Sequence, residues 1–490
     1  MKPKSKPESA ADGSLRPLFI FLAAYALVFF GLAYRKFSIM NSDNGNVAIS
    51  VNAFWHTIHG KLFYTISAGM NHLGVHATYL ILLFTPFFAL FPHAETLLLL
   101  QTLVITASGI PFFLVSRKVL KSELAAWCMT IGYLFYPTVV TNHVNQVAFE
   151  HLALPFLIGA VWFFLEERFW MFLLCAFLTM TALENLPLTI GIFGVYALIC
   201  KRPAKWVITP IVMALAYGLF VFDVAIPYFA GGHTYYESSY LGALGHTPGE
   251  AIKNCLTQPW KVIATVFDLD RAFYLLKMLQ PLLWILPLCS WAIVLALPSL
   301  ALNLIISESS FRVIPWHYNP TVGAMLCVAA VFGVKKLADR IEKRWHWEHA
   351  ERTLAFAVAA LSVASWPLWF NPNEYIPQAY YPTLKKVLQL IPPNASVLSP
   401  HTMIGHFADR DVAVLLLQFD PNQPNKETWP REKMYTLDYV ILDANERRFP
   451  QELVTRDLFM SFYTNTNYQL IFDENNVFVF HHRDKTGGSP

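Results

Sequence analysis

The stretch "KFSIMNSDNGNVAISVNAFWHTIHGKLFYT", residues 36–65, decides how the chain is interpreted. It follows an apolar run that ends near residue 34, and it surrounds Asp43 with the polar residues Asn41, Ser42, Asn44 and Asn46. A carboxylate with such neighbours at the end of an apolar helix indicates contact with water. It also suits the start of a second helix, because Asp and Asn commonly cap helices. We therefore keep two interpretations of Asp43, a chemical role and helix capping alone.

The composition predicts a membrane protein. Of the 490 residues, 55% are apolar and 14% are charged, whereas soluble domains contain about 25% charged residues. Apolar runs of about 20 residues, long enough to cross about 30 Å of hydrocarbon as a helix, recur before residue 371. The net charge of +3 is too small to indicate a nucleic-acid partner. The cysteines lie mostly in or beside apolar runs, which argues against a disulfide framework.

The placement of Lys and Arg predicts the topology, because short cytoplasmic loops collect these residues. We expect a disordered cytoplasmic tail over residues 1–16 and a multi-pass helical bundle in the plasma (inner) membrane over residues 17–370. The basic segments are consistent with about eleven crossings, a cytoplasmic N-terminus and an extracytoplasmic C-terminal region. The predicted spans are 17–34, 94–116, 122–140, 148–165, 169–184, 186–200, 206–229, 271–287, 290–306, 319–335 and 351–370.

Two segments strain this topology. The run "HATYLILLFTPFFALFP", residues 76–92, is apolar enough to cross, but a crossing there would reverse every later basic loop. We therefore predict an interfacial or re-entrant helix within an external loop that covers residues 35–93. The segment 271–306 is too long for one straight helix and contains three prolines, so we predict two short crossings there.

The same topology places acids and histidines at the external face, and bases at the internal face. Charged groups are costly at the bilayer centre, by about 2.5 to 3.5 kcal/mol, so those near membrane depth should line a wet cavity. We expect one polar cavity that opens outward. The residues that would line it are Asp43, Lys61, His143, Glu150, His151, Glu184, Asn185, Arg312 and His317.

The character of the chain changes near residue 371. The segment 371–400 reads as a Pro-rich connection, a helix and a strand, and "DVAVLLL" and "DYVILD" read as further strands. The last two strands form a hairpin around Asn475 and Asn476. Residues 371–490 are thus predicted to form a small extracytoplasmic α/β domain, either an accessory domain that covers the cavity or recognises an acceptor, or a structural one.

Several segments together resemble a known family. They are "SDNGNVAISVNAFWHTIHGKLFYT", "NHLGVHATYLILLFTPFFALFP", "HVNQVAFEHLALP", "LENLPLT", "ALPSLALNLI", "WHYNPTVGAMLCVAA", "IPPNASVLS" and "LDYVILD". In this order they resemble the prokaryotic membrane proteins of domain-of-unknown-function family 2079. That family is in turn similar to the GT-C glycosyltransferases, which move a sugar from a lipid-phosphate donor at the outer membrane face. The resemblance implies a mainly α, GT-C-like transmembrane bundle.

The resemblance also implies roles for the acids. In GT-C enzymes an acidic residue of the first external loop lies in the active site, and Asp43 matches it by position. The segments "DNG" and "VAFEH" depart from the family's usual patterns, and the second departure concerns Glu150. From the residues alone, a carboxylate within reach of an acceptor hydroxyl can remove its proton, which contributes typically about 10²- to 10⁴-fold. We predict Asp43, Glu150 and Glu184 as catalytic residues; for Glu184, a plain turn residue at the water interface is the alternative.

The remaining predicted site residues would bind the substrate or a metal. Arg312 is the best candidate to grip the leaving phosphate, because a guanidinium holds two oxygens at once, and Lys61 is a second candidate. Either side chain could equally reach lipid headgroups. His317, His143, His151 and Asn185 would contact substrate. His72 and His76 are four residues apart and could share one helix face, which raises the hypothesis of a divalent cation such as Mg or Mn.

Two classes of function fit this pattern. The first is a membrane glycosyltransferase that uses a polyprenyl-phosphate-linked sugar and a glycan, lipid or protein acceptor. The second is a transporter or flippase of lipid-linked or small polar molecules, whose cavity acids would bind substrate without chemistry. Transporters often consist of two related halves, and the sequence shows no such internal symmetry. The enzyme is therefore the favoured prediction, and a non-catalytic scaffold comes third.

Overall fold

A computed structural model describes residues 15–65, 70–145, 147–231, 244–245, 248–266, 268–416, 431–446 and 452–485. The predicted tail at 1–16 lies mostly outside these residues. Helices make up most of the described chain before residue 366. In chain order they are α1 (Leu15–Ser38), α2 (Asn44–Ile58), α3 (Ile81–Phe88), α4 (Ala94–Ala107), α5 (Gly109–Leu120), α6 (Glu123–Leu134), α7 (Pro137–Asn145), α8 (Leu154–Leu165), α9 (Phe169–Met180), α10 (Leu186–Ile199), α11 (Ala204–Leu219), α12 (Ile226–Phe229), α13 (Pro248–Thr257), α14 (Pro259–Val266), α15 (Leu269–Leu279), α16 (Leu297–Ile305), α17 (Pro320–Trp345) and α18 (Ala350–Ser365).

Within the described residues, four helical stretches are long and apolar enough to cross a membrane by themselves. They are α1, the continuous pair α4 and α5, the run from α11 to α12, and α17. A fifth span results if α6 and α7, which meet at an angle of 51°, are counted together. Helices α8, α9, α10 and α16 are apolar but shorter. The structure thus confirms a polytopic helical protein, and the count of about eleven crossings stays a prediction.

The two segments that strained the topology are both irregular. Residues 81–88 form the eight-residue helix α3, which at 1.5 Å per residue reaches only about 12 Å. The segment 271–306 holds α15, three short 3₁₀ helices and α16. Each of the three prolines lies at the first or second position of one of these later helices, where its missing N–H group costs nothing. The prolines therefore divide this segment into short helices, and the two short crossings stay a prediction.

Helix α17 is the centre of the bundle. Its first half, from Pro320 to Val334, is buried with the sole exception of Phe332. It packs against α5, against α18 and against the 3₁₀ helix Leu286–Cys289. At Gly333 a β-carbon would lie 1.8 Å from the carbonyl oxygen of Leu286, so the two backbones touch. The irregular segment is thus held in place by a helix that can approach it only through a glycine.

This close approach makes a stability prediction. Gly333→Ala places a methyl group against backbone that cannot rotate away, and overpacking of this kind costs about 1 to 3 kcal/mol or more. Gly31→Ala is the matched control, because a β-carbon there meets nothing within 4 Å. Thermal unfolding of the purified protein in detergent should show a clearly lower melting temperature for Gly333→Ala and no decrease for Gly31→Ala. Equal melting temperatures for the two variants would contradict the packing.

The external loop lies between α1 and α4. Helix α2 is buried along most of its length, including Val47, Val51 and Phe54. A two-stranded ribbon follows, formed by β1 (Tyr64–Thr65) and β2 (Met70–Asn71). Helix α3 then presents exposed apolar side chains, among them Leu82, Leu83 and Phe87. An exposed apolar helix too short to span is what an interfacial segment requires.

The C-terminal region contains the predicted sheet. Its elements are α19 (Tyr381–Leu390), β3 (Val397–Ser399), α20 (His401–Ile404), β4 (Ala413–Leu415), α21 (Arg431–Met434), β5 (Tyr439–Asp443), α22 (Glu452–Tyr463), β6 (Tyr468–Glu474) and β7 (Val477–His482). The strand order is β4-β3-β5-β7-β6, with β3 parallel to β4 and β5, and β7 antiparallel to β5 and β6. Asn475 and Asn476 both have positive φ, as a two-residue hairpin turn needs. The predicted strands and hairpin are confirmed.

The packing does not stop at the predicted boundary near residue 371. One apolar core contains Phe37 of α1, Val47 and Val51 of α2, and Met403 and Phe407 of the C-terminal region. Polar contacts follow the same seam: Lys36 forms an ion pair with Glu374, and Tyr381 donates a hydrogen bond to the carbonyl of Ser38 at 3.0 Å. The external loop and the α/β domain therefore pack as one body.

The ion pair at this seam is asymmetric, which gives a second prediction. The side chain of Lys36 is 3% exposed, whereas that of Glu374 is 43% exposed. Glu374→Ala takes the carboxylate from a buried ammonium and should cost about 2 kcal/mol or more. Lys36→Met leaves only an accessible carboxylate, so its cost should be smaller. The melting temperature of Glu374→Ala should be lower than that of Lys36→Met, and the exposed control Glu348→Ala should melt as wild type does. The reverse order of the first two variants would refute this account.

Candidate functional site

Asp43 lies at the start of α2, where both interpretations of this residue meet. It is the N-cap of the helix: Oδ1 accepts a hydrogen bond from the backbone N–H of Asn46 at 3.4 Å, and Oδ2 accepts one from the side-chain amide of Asn46 at 3.2 Å. The side chain remains 22% exposed. Capping is therefore confirmed, and the carboxylate still has an accessible side.

The same carboxylate contacts the C-terminal region. Nε2 of His401 lies 3.0 Å from Oδ1 of Asp43, and the backbone N–H of Gly45 points to the same ring nitrogen at 3.2 Å. Nearby, Asn44 donates a hydrogen bond from its amide to the carbonyl of Thr402 at 2.6 Å. The sequence analysis assigned no residue of this region to the site. One signal could have found His401: it follows β3 at the carboxyl end of a parallel strand, where ligands of α/β sheets commonly bind.

Glu184 joins the external loop to the bundle. It lies in the turn between α9 and α10, where Oε1 is 3.0 Å from Nδ1 of His76 and Oε2 accepts the backbone N–H of Ala77 at 3.1 Å. The Glu184 side chain is 7% exposed and that of His76 is 37% exposed. Burial by itself lowers the pKa of His76, but the charges of Glu184 and Glu150 outweigh it and raise the pKa above its ordinary value. A buried acid therefore favours the protonated form of His76.

Glu150 faces the histidine that precedes α17. Oε1 of Glu150 lies 4.0 Å from Nε2 of His317, and the two side chains are 12% and 14% exposed. The ring of His317 packs beside Tyr318, with 4.1 Å between the ring centroids. Both residues thus lie at the same nearly buried point, although Glu150 lies in the 3₁₀ helix Phe149–Ala153 before α8 and His317 precedes α17.

Electrostatic effects join these pairs into one group. Burial lowers the pKa of His317, the charges of Glu150 and Asp43 oppose that shift, and the charge of His76 adds to it. His317 therefore lies within electrostatic reach of both acids and of the second histidine. We define the acid–histidine cluster as Asp43, His76, Glu150, Glu184 and His317. All three predicted catalytic acids belong to it.

Three other predicted histidines lie around the cluster in apolar surroundings. His72 is 4% exposed, and its ring lies between those of His76 and Phe149 at centroid distances of 5.5 and 5.0 Å. Burial, with a smaller effect of His76, lowers the pKa of His72 to about 3, so this ring is neutral. The other two are buried: His143 packs against Tyr25 and Phe29 of α1, and Nδ1 of His151 lies 2.8 Å from Oε1 of Gln101.

Arg312 and Lys61, two further predicted ligands, contact residues outside the acid–histidine cluster. Arg312 is 4% exposed; its guanidinium forms an ion pair with Asp270 and donates to the carbonyl groups of Asn303, Ile306 and Ser307. Lys61 is 56% exposed and pairs with Asp411 at 3.0 Å. Asn185 is half-buried beside Glu184, at the N-cap of α10, and makes no side-chain capping bond. A phosphate-binding role for Arg312 stays a prediction, and its contacts here are structural.

The comparisons with known proteins agree with this architecture. The family model described as "Predicted membrane protein (DUF2079)" matches residues 40–479 of the chain. The chain belongs to the DUF2079 family. Among solved structures, the crystal structure of ArnT from Cupriavidus metallidurans bound to undecaprenyl phosphate is similar in fold, with a TM-score of 0.58 and 10% identity over 95% of this chain and 98% of that chain. The apo structure of ArnT gives 0.54 and 11% over 96% and 98%.

For this DUF2079 protein, the comparisons support the fold and the extent of the family. The matched residues include the whole acid–histidine cluster and His401, so the family unit contains both the bundle and the α/β domain. The resemblance to ArnT at 10% identity is a resemblance of fold. A search of curated proteins found no match to the chain.

A divalent cation stays a prediction for this DUF2079 protein. Among the described residues, no group of three or more His, Cys, Asp or Glu side chains is arranged to hold one. His72 and His76 are close, and a neutral His72 is the form that can bind a metal ion, but they supply only two donors and Nδ1 of His76 lies 3.0 Å from Oε1 of Glu184. The hypothesis of Mg or Mn therefore remains without a ligand set, and we derive no step through a metal.

The raised pKa of His76 predicts a pH dependence. A group whose pKa is higher in the folded protein stabilises it below the ordinary value of about 6.5 and loses that contribution as the pH rises through the folded value. The melting temperature of wild type should therefore exceed that of His76→Gln at pH 6, and the difference should shrink by pH 9. The exposed control His349→Gln should show no such trend, and a difference that grows with pH would rule out the ion pair.

Proposed function

We propose that the protein is a membrane glycosyltransferase that moves a sugar from a polyprenyl-phosphate-type donor to an acceptor at the extracytoplasmic face of the inner membrane. The observation that carries the proposal is the convergence of Asp43, Glu150 and Glu184 with two histidines, from five separate segments of the chain. The fold shared with ArnT, whose crystal structure holds undecaprenyl phosphate, supports a lipid-phosphate substrate.

The reaction needs a base and a cation. The acceptor oxygen attacks the anomeric carbon, the bond from that carbon to the phosphate oxygen breaks, the hydroxyl proton passes to a base, and the lipid phosphate leaves with the bonding electrons. A carboxylate is a suitable base when it lies within hydrogen-bond reach of the hydroxyl. Asp43 takes this role in the proposal, because it keeps an accessible side while α2 fixes its position.

His76 is the residue of the cluster that suits the departing phosphate. Glu184 and Glu150 favour its protonated form, and more than a third of its side chain is accessible. Positive charge aimed at developing negative charge is often the largest single contribution to catalysis. The proposal gives this role to His76 in preference to Arg312, since four N–H groups of Arg312 already have partners within the protein.

Glu150 and Glu184 complete the cluster in different ways. Glu184 is committed to His76 and to the backbone of Ala77, so it holds the cation and the loop in place. Glu150 lies 4.0 Å from His317, farther than a hydrogen bond, and can accept hydroxyl groups of the sugar or the acceptor. Glycans, lipids and proteins all carry hydroxyl groups, so each class can supply the acceptor.

The test is turnover by Asp43→Asn in purified protein reconstituted in lipid. Asn caps helices as well as Asp does, so the substitution removes the charge and keeps the cap. With polyprenyl-phosphate sugars as donors, we expect transfer to fall about 10²-fold or more. The readout is labelled sugar that appears in the acceptor, or in water if hydrolysis replaces transfer.

Two controls accompany this test. Asp484→Asn changes an exposed aspartate of the C-terminal region in the same way and should leave turnover unchanged. Vesicles with donor on one side measure movement without bond cleavage. Full activity of Asp43→Asn would remove Asp43 from the chemistry, and movement of intact donor without transfer would favour the transporter hypothesis.

A further inference from the structure

His401 is brought to Asp43 by the sheet of the C-terminal region. Strand β3 ends at Ser399, and after Pro400 the chain turns into α20, which begins with His401. The neighbouring Thr402 is anchored on two buried acids: its backbone N–H donates to Oε2 of Glu446 at 2.9 Å, and its hydroxyl lies 3.4 Å from Oδ2 of Asp443. Since Asp443 ends β5, two parallel strands fix the segment that carries His401.

The ring of His401 has no room to move on the side of α2. A β-carbon at Gly45 would lie 2.9 Å from Nε2 and 3.0 Å from Cδ2 of His401. The ring therefore lies directly against the first turn of α2 and is only 7% exposed on its side chain. Only a residue without a side chain at position 45 allows this approach, so Gly45 and His401 form one matched contact.

Nε2 of His401 contacts two partners, and each contact requires a different protonation state of this nitrogen. Nε2 can donate to Oδ1 of Asp43 only when it carries a proton, and it can accept from Gly45 N–H only when it does not. With Asp43 ionised, a proton on Nε2 points at the carboxylate. When Asp43 takes a proton from a substrate hydroxyl, Oδ2 can carry that proton while the N–H of Nε2 goes on donating to Oδ1. The geometry thus suits a carboxylate that changes its protonation state.

We propose that His401 is a positioning residue for Asp43, so that the α/β domain completes the candidate active site. This inference rests on the proposed function and assigns a residue from the C-terminal region to it. The ring holds Oδ1 in one direction and favours the ionised carboxylate, which leaves the accessible side of Asp43 for the acceptor hydroxyl. The titratable groups around this pair are Glu446 and Asp443 behind Thr402, together with His317 and Glu150 in the cluster.

The first test compares rates and pH profiles in the full-length, lipid-reconstituted protein. In His401→Ala we expect kcat to fall about tenfold or more with KM within about twofold, since a base contributes to the transition state. The acidic limb of the kcat profile should move to higher pH, because a carboxylate that loses a donor binds its proton more tightly. His401→Gln keeps an N–H donor and should retain more of the rate. A structural role alone would not move this limb.

A second variant reaches the same contact without altering a titratable group. Gly45→Ala pushes the ring away from Asp43, so its acidic limb should move in the same direction as that of His401→Ala. The controls are Gly31→Ala, where a β-carbon meets nothing within 4 Å, and the exposed His349→Gln. If the limb stays in place in His401→Ala, or if Gly45→Ala behaves as Gly31→Ala does, the proposal is overturned.

A double-mutant cycle separates this inference from the proposed function. Asp43→Asn and His401→Ala, alone and combined, are compared by thermal unfolding, which needs no activity. Melting-temperature losses that do not add support the contact, and additive losses overturn the inference even where transfer is observed. A wild-type protein that transfers no sugar overturns the catalytic role along with the proposed function, and non-additive losses would then support a structural pair only.

Discussion

The structure depends on the docking of α2 against the segment 401–408. Helix α2 is only 15 residues long, and short helices are marginal without tertiary packing. Its apolar face packs against Met403 and Phe407, and its amide side chains reach backbone carbonyls across the seam, as Asn52 does to Ala408 at 3.1 Å. Buried amides are tolerated only when such partners exist. The α/β domain therefore supplies both the apolar surface and the acceptors that let a polar loop fold beside a membrane bundle.

The electrostatics of the cluster follow from that placement. The three carboxylates of the cluster repel one another, and each has neighbouring groups that balance its charge. Asp43 has the first turn of α2 and His401, Glu184 has His76 and the N–H of Ala77, and Glu150 has His317 nearby. Because the balancing groups are histidines, they can gain or lose protons as the pH changes. A cluster balanced by lysine or arginine would not respond in this way.

The sequence predicted what depends on local pattern and missed what depends on contacts between distant segments. Asp43 could be selected from the sequence because few roles explain a polar run directly after an apolar helix. The Asn475–Asn476 turn could be predicted from its residue types. The contact of Asp43 with His401 spans 358 positions in the chain, and no periodicity reports it. Arg312 is a second example: its type and its loop predict a phosphate ligand, which stays a prediction, but no local pattern reports that its guanidinium donates to carbonyl groups at the end of α16. The crossing count stays a prediction, because prolines divide 271–306 into short helices with the composition of a span.

The resemblance to ArnT at 10% identity is a resemblance of fold between two very different sequences. A bundle in lipid needs apolar side chains of suitable volume, and many sequences satisfy that need, whereas close backbone approaches need small residues at fixed positions. Gly333 against Leu286 and Gly45 against His401 are approaches of this kind, one in the bundle and one at the site. The first fixes the irregular segment 271–306 against α17, and the second fixes a histidine against a carboxylate. At both positions the absence of a side chain allows a residue from a distant part of the chain to come close. At Gly45 that residue is His401, whose ionisable ring lies beside Asp43.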